Sequence, residues 1–120
     1  MVIIICCGDG TTSYEMCKRL SQHVQEDNII TDLETVDLTD LQHLPFVFLY
    51  GASENMTRFL AQEQKIDLIL LSPQVRYKFD AMKVLFPHSK IASMDILDFA
   101  MMRADKIFEQ IKQYDSWQHK

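Results

Sequence analysis

Residues 6 to 13 read Cys-Cys-Gly-Asp-Gly-Thr-Thr-Ser, which puts a thiol, two glycines and three hydroxyls within a few residues of one another. Those are the parts from which a phosphoryl group can be held on sulfur. The glycines leave the backbone free to turn its amides inward, and the positive end of a following helix favours an anion by roughly 0.3–1 kcal/mol in an exposed setting. The same field should favour thiolate over thiol at Cys6. The expectation is a nucleophilic Cys6 at the mouth of a phosphate-binding loop formed by Cys7, Gly8, Asp9, Gly10, Thr11, Thr12 and Ser13.

Other readings of the same residues stand beside this one. Buried cysteine is common, so Cys6 could be a small core residue. Cys7 is a competing nucleophile or a plain loop residue, and Cys17, one turn into the helix, reads as core. Asp9 and Glu15 would repel a phosphoryl group if they faced it. Asp9 is therefore expected to point to solvent or to a basic partner surface, and Glu15 to turn back and cap the helix start in a Thr12-Ser13-Tyr14-Glu15 capping box. Tyrosine-phosphatase chemistry closes a similar loop with an arginine six positions after its cysteine. Here that position holds Thr12 counted from Cys6, or Ser13 counted from Cys7. Without a guanidinium fork on the equatorial oxygens, a carrier is favoured over a hydrolase.

The remaining chemistry-bearing residues form no second constellation. His23, His43, His88 and His119 are dispersed and share no metal-ligand spacing with the cysteines, and no Lys follows the glycines as a nucleotide-binding loop requires. Met82, Met94, Met101 and Met102 read as core filling. No metal or organic cofactor is expected.

The elements that must position Cys6 follow from the apolar pattern. Val2 to Cys6 is an unbroken apolar run, as in a central parallel strand covered on both faces. A helix starting at Thr12 or Ser13 carries Met16, Leu20 and Val24 on one stripe. Ile29 to Val36 reads as an outer strand through Ile30, Leu33 and Val36. Residues 44 to 50 fit either a short extended piece or a helix start, and Ser53 to Gln64 fits a helix with Met56, Phe59 and Leu60 inward. Ile66 to Leu71 is a second buried strand that exits at Ser72-Pro73. A helical stripe through Met82, Val84, Leu85 and Phe86 stops at Pro87, Lys90 to Met94 is a fourth strand, and residues 96 to 114 close the chain as helix, with a possible break near Met101-Met102. The tail 115 to 120 is expected to fray. The pattern predicts an α/β fold: a small doubly wound parallel sheet of four strands with helices on both faces, Cys6 lying at the carboxyl end of the first strand, where such folds bind ligands.

Composition sets the frame. A chain of 120 residues with 48% hydrophobic content suits a single domain. Three cysteines and no long apolar stretch point to free thiols in a cytoplasmic setting with no direct membrane insertion. A net charge of −5 from scattered acidic residues argues against nucleic acid as a partner.

Two blocks of this sequence resemble the IIB components of the bacterial phosphotransferase system (PTS), lactose/cellobiose class. One is the apolar strand ending in Cys6-Cys7-Gly8-Asp9-Gly10-Thr11-Thr12-Ser13. The other is the strand exit Leu70-Leu71-Ser72-Pro73-Gln74-Val75-Arg76-Tyr77, similar to the family's Pro-Gln segment. The resemblance implies a cytosolic phosphotransferase with a covalent S-phosphocysteine intermediate at Cys6. Such a carrier takes its phosphoryl group from a histidine of a IIA component and passes it to a sugar, a β-disaccharide such as cellobiose, lactose or chitobiose, bound by the membrane IIC component. It implies that Pro73 and Gln74 neighbour the site and that Arg76 or Tyr77 flank the phosphate or a docking surface. This chain departs from the family pattern at Cys7, where a small non-thiol residue is usual, at Asp9, and in its longer, more aromatic residues 38 to 52. A phosphate- or redox-sensing module using Cys6-Cys7 is the alternative from another class.

Overall fold

The run Val-Ile-Ile-Ile-Cys-Cys is too apolar to face water on either side, and it forms the central strand of the molecule, β1 (Val2–Cys7), buried along its whole length. The computed structural model describes residues 1–32 and 37–118, with side chains as far as Tyr114. Around β1 lie β2 (Asn28–Asp32), β3 (Phe46–Ala52), β4 (Leu68–Leu71) and β5 (Lys90–Ser93), in the order β2-β3-β1-β4-β5, every pair parallel. The sheet thus has five strands where the pattern predicted four. The added one is β3, inserted between β1 and β2. Covered on both faces and hydrogen-bonded on both edges, it carries an unbroken apolar run with none of the period-2 alternation that identifies a half-exposed strand. Of the outer strand expected over Ile29 to Val36, the part up to Asp32 is present; 33–36 lie outside the described residues.

Strand alternation divides the core into two clusters. On one face Ile3, Ile5, Cys7, Phe48 and Leu70 pack against Met16, Cys17 and Leu20 of helix α1 (Gly10–His23) and Ile107 and Ile111 of α4 (Ala104–Gln118). On the other, Ile4, Cys6, Leu49, Ile69 and Leu71 pack against Met56 and Phe59, Val75, and Met82 and Phe86 around helix α2 (Phe79–Leu85).

That second face is covered largely by 3₁₀ structure, Ser53–Lys65 and Pro73–Lys78. A 3₁₀ helix has three residues per turn, so its buried stripe runs Ser53, Met56, Phe59. This corrects the expectation for Leu60. Four residues after Met56, it would face inward on an α-helix; here it is 41% exposed. Val84, also expected inside, is 79% exposed, because α2 is short and presents Met82 and Phe86 to the sheet. The last helical region breaks where the sequence suggested: α3 (Ile96–Ala100) ends with Met102 in the left-handed region (φ 50°), and the Arg103 N–H reaches back to the Asp98 carbonyl at 2.8 Å. Beyond it α4 runs on through 115–118, which were expected to fray.

Candidate functional site

The carboxyl ends of β1, β3 and β4 meet at one rim of the sheet, where Cys6 lies opposite Gly51 on β3 and Leu71 on β4. Neighbouring residues on a strand point to opposite faces. Cys7 therefore lies on the α1 face with Cys17, and Cys6 lies on the opposite face with Val75 and Met56. The sequence reading set Cys6 against the amides of α1. In the structure the thiol on that side of the sheet is Cys7.

Neither thiol is exposed, and none of the three cysteines forms a disulfide. Burial pushes the Cys6 thiol up to about 12; the neighbouring Cys7 adds to the rise and the Lys78 ammonium opposes it. Cys7 is likewise pushed up to about 12 by burial, with the Ser72 hydroxyl acting against the rise and the Asp9 carboxylate with it. The expected thiolate at Cys6 is thus replaced by a protonated thiol. A helix-end field of about 1 kcal/mol cannot offset the loss of water around a buried charge.

The loop itself is shorter than expected. Asp9 is the N-cap of α1, its carboxylate accepting from the Thr12 N–H at 2.7 Å and from the Thr12 hydroxyl at 3.2 Å. The helix consequently begins at Gly10, and Thr11, Thr12 and Ser13 belong to its first turn. Those Thr12 hydrogen bonds hold the Asp9 carboxyl below its ordinary range. Asp9 is exposed, as expected, but it turns back onto the helix end. The cap assigned to Glu15 belongs to Asp9, while Glu15 pairs with Arg19 one turn on at 3.0 Å. No described glycine has a positive φ, and a Cβ built on Gly8 or Gly10 would meet nothing within 4 Å. The left-handed glycine form of an anion nest is therefore not what this stretch uses, and the free amides are those of the α1 start.

Ser13 is fully buried, and its hydroxyl donates to the Ile5 carbonyl and accepts from the Gly51 N–H at 3.0 Å. That latch ties α1 to β1 and β3, and it takes Ser13 out of the rim. Ser72 is also fully buried, the one described buried side-chain hydroxyl with no hydrogen-bond partner of normal geometry, although it lies near enough to influence the Cys7 thiol.

Pro73 opens the 3₁₀ turn after β4, with Gln74, Arg76 and Tyr77 on its outside and Tyr77 76% exposed. Pro73 and Gln74 join Thr12 in lining a groove of about 420 Å³ that continues to Ile96, Phe99 and Met102. A second groove of about 480 Å³ lies across the α1 start, between Tyr14 and Tyr50, whose rings meet edge-on at 5.0 Å. Gly10 and Thr11 line this groove, as do Asp32 and Asn55.

Two residues that sequence reading passed over stand on the Cys6 side. Lys78, half-buried at the end of the 3₁₀ turn, donates from Nζ to the Ser53 hydroxyl at 3.0 Å. Ser53 is itself buried, at the exit of β3. The available signal was the run Arg76-Tyr77-Lys78, which brings two cations past the strand exit. Among the described residues no group of three or more His, Cys, Asp or Glu side chains is poised to hold a metal ion. His88 instead binds Glu63 through Nδ1 at 2.7 Å, and His23 packs edge-on against Phe108.

Compared with solved structures, the chain is similar to the lactose-specific IIB component domain of the phosphoenolpyruvate:carbohydrate phosphotransferase system from Streptococcus pneumoniae. The match covers 95% of this chain and 96% of that one, at 16% identity and a TM-score of 0.65. The fold is that of a PTS IIB domain. No family model and no curated protein matches the sequence. The IIB likeness is therefore one of architecture, and the chemistry must come from this chain's own residues. Among the described residues no helix is long and apolar enough to cross a membrane.

Proposed function

We propose that this chain is a phosphoryl carrier of a sugar phosphotransferase system, with Cys6 as the residue that carries the group. One observation supports this above all: Cys6, next to last in the central strand of a IIB-type sheet, lies opposite Leu71 at the carboxyl rim, just before Ser72-Pro73-Gln74 turns away. Parallel α/β sheets bind ligands at that rim because strand ends and helix starts converge there.

Transfer to Cys6 from a phosphohistidine of a IIA-type donor balances without a further reactant. The P–N bond breaks as the P–S bond forms, and the thiol proton goes to the departing imidazole nitrogen. The thiol proton thus has an acceptor within the step, the departing imidazole nitrogen, while the raised pKa keeps thiolate, the stronger nucleophile, scarce at neutral pH. In the onward step the S–P bond breaks, a sugar hydroxyl takes the phosphoryl group, and the hydroxyl proton returns to sulfur. The sixth position after Cys6 holds Thr12 and not the arginine of a phosphatase loop, which favours a lasting S-phosphocysteine over a hydrolase. Gly8 and Asp9 are exposed beside the cysteines, so this stretch is where a partner would gain access to the sulfur. The apolar groove between Pro73 and Met102 is the docking surface we assign to the membrane-bound IIC partner, with Ile96 exposed in its lining and offering apolar area.

The test is reconstitution. The chain is combined with a phosphoenolpyruvate-driven donor cascade and membranes holding a IIC component, and sugar phosphate is counted. Cys6→Ser should abolish turnover while Cys7→Ser retains it. Turnover that survives Cys6→Ser would remove the assignment.

A further inference from the structure

We propose that Met101 is a peroxide-responsive modification site whose sulfoxide is held by the Arg103 guanidinium, at the edge of the apolar groove between Pro73 and Met102. The sequence pattern placed Met101 in the core. In the structure Met16, Met56, Met82 and Met94 are buried, Met1 and Met102 are half-buried, and Met101 is 58% exposed. The backbone puts it there. The Asp95 carboxylate caps α3 by accepting from the Leu97 and Asp98 N–H groups, and the helix closes with Met101 at its C-cap and Met102 in the left-handed region. Methionine is an uncommon choice at a left-handed position. The turn is held by the Met101 N–H, which donates to the Leu97 carbonyl at 3.0 Å, and by the Arg103 N–H on the Asp98 carbonyl.

The same turn folds Arg103 back over Met101. Its Nη2 donates to the Met101 Sδ at 3.4 Å, and its Nη1 lies 3.7 Å from the Asp98 carboxylate. A thioether is a weak acceptor, so one arm of the guanidinium is poorly matched by sulfur. The oxidant is a hydroperoxide. A sulfur lone pair attacks a peroxide oxygen, and the S–O bond forms as the O–O bond breaks. The proton of the attacked oxygen passes to the departing one, which leaves as water or an alcohol. The thioether is oxidised by two electrons and the peroxide is reduced by two. Met101 thereby gains a polar oxygen, a far better acceptor than sulfur, beside N–H groups that carry positive charge. Its chain neighbours Ala100 and Met102 line the groove, so a polar group at this edge weakens the docking of an apolar partner. That last consequence rests on the carrier reading, whereas the modification does not.

The experiment treats the intact chain with limiting hydrogen peroxide at neutral pH and locates sulfoxide by peptide mass spectrometry. Met101 should oxidise about tenfold faster, or more, than Met16, Met56, Met82 or Met94, because exposure sets susceptibility. Thermal melting then reads the capture, each shift being taken against Met101→Leu given the same treatment, which cancels any cysteine oxidation. Oxidation should raise the wild-type Tm by about 2–4 °C, as one added hydrogen bond does in a chain of this size, and should not raise that of Arg103→Ala. If Arg103→Ala melts too low to compare, Arg103→Met, which keeps the stem and loses the donors, takes its place. Equal shifts in wild type and the Arg103 variant, or no rise in wild type, overturn the capture. Met101 oxidising no faster than the four buried methionines overturns the site. On membranes holding a IIC component, oxidised wild type should bind about threefold more weakly, or worse, and Met101→Leu should lose nothing on the same treatment. Unchanged wild-type binding overturns the docking consequence. If the untreated chain does not bind such membranes, the carrier reading loses its docking surface while the oxidation and melting results stand.

Discussion

Raising a buried thiol's pKa from 9.0 to about 12 has a consequence for folding that can be measured without any partner. A group whose folded pKa lies above its unfolded value contributes stability that is fully present below the unfolded pKa and is lost as pH rises toward the folded one. For Cys6 and Cys7 that window opens near pH 9 and closes near 12. Between pH 8 and pH 10 the unfolded thiol becomes about nine-tenths ionised while the folded thiol stays protonated, which costs about 1.4 kcal/mol per cysteine. Cys6 and Cys7 together then remove about 3 kcal/mol, a large share of a small domain's stability, and Cys17, raised for the same reason, adds to it. Urea denaturation at the two pH values supplies the assay, and comparing wild type with Cys6→Ala cancels every other titration. The variant should lose about 1.4 kcal/mol less than wild type over the interval, and Cys7→Ala should behave in the same way. Equal losses in wild type and Cys6→Ala would mean that the Cys6 thiol is open to water, and the proton-donating step above would have no basis.

Three further outcomes are expected. Ser13→Ala leaves the Ile5 carbonyl and the Gly51 N–H without their buried partner, and should destabilise by about 2–4 kcal/mol in urea melts. Asp9→Asn should flatten the acid limb of the stability curve: the depressed Asp9 pKa stabilises the fold above the ordinary carboxylate range and is lost as pH falls through its lowered folded value, so thermal melts between pH 5 and 2 should separate wild type from variant. Met82→Ala should cost about 2–5 kcal/mol, whereas Val84→Ala should stay within about 0.5 kcal/mol, by the same urea midpoints.

The strands flanking the site were legible because they are extreme. Val2 to Cys6 and Ile66 to Leu71 are apolar without a break, and the Ser72-Pro73 exit and the Met101-Met102 break carry their own signals. What escaped the sequence did so for local physical reasons. Phe46–Ala52 is bounded by Pro45 and contains Gly51, and a strand buried on both faces has no alternation to distinguish it from a helix start. Leu60 and Val84 were placed by a 3.6-residue period that the segment around Leu60 does not follow and that the short α2 does not complete. Within the site, Asp9 at the N-cap position before Gly10 was a readable helix start, but it was taken for a loop residue. The opposite facing of Cys6 and Cys7 followed from the strand period alone. Lys78 was signalled only by the run Arg76-Tyr77-Lys78, and its pairing with Ser53 not at all, since the two are distant in the chain and meet only when β3 and β4 take their places on either side of β1.

The carrier role requires a phosphoryl group attached to one sulfur. Exposing the purified chain to a phosphohistidine donor, quenching it under conditions that preserve thiophosphate, and mapping the modified peptide by fragmentation tests this most directly. The phosphoryl group should be found on Cys6, and it should vanish on return to a sugar acceptor with its permease. A group found on Cys7 or on a histidine, or no modification at all, would contradict the account.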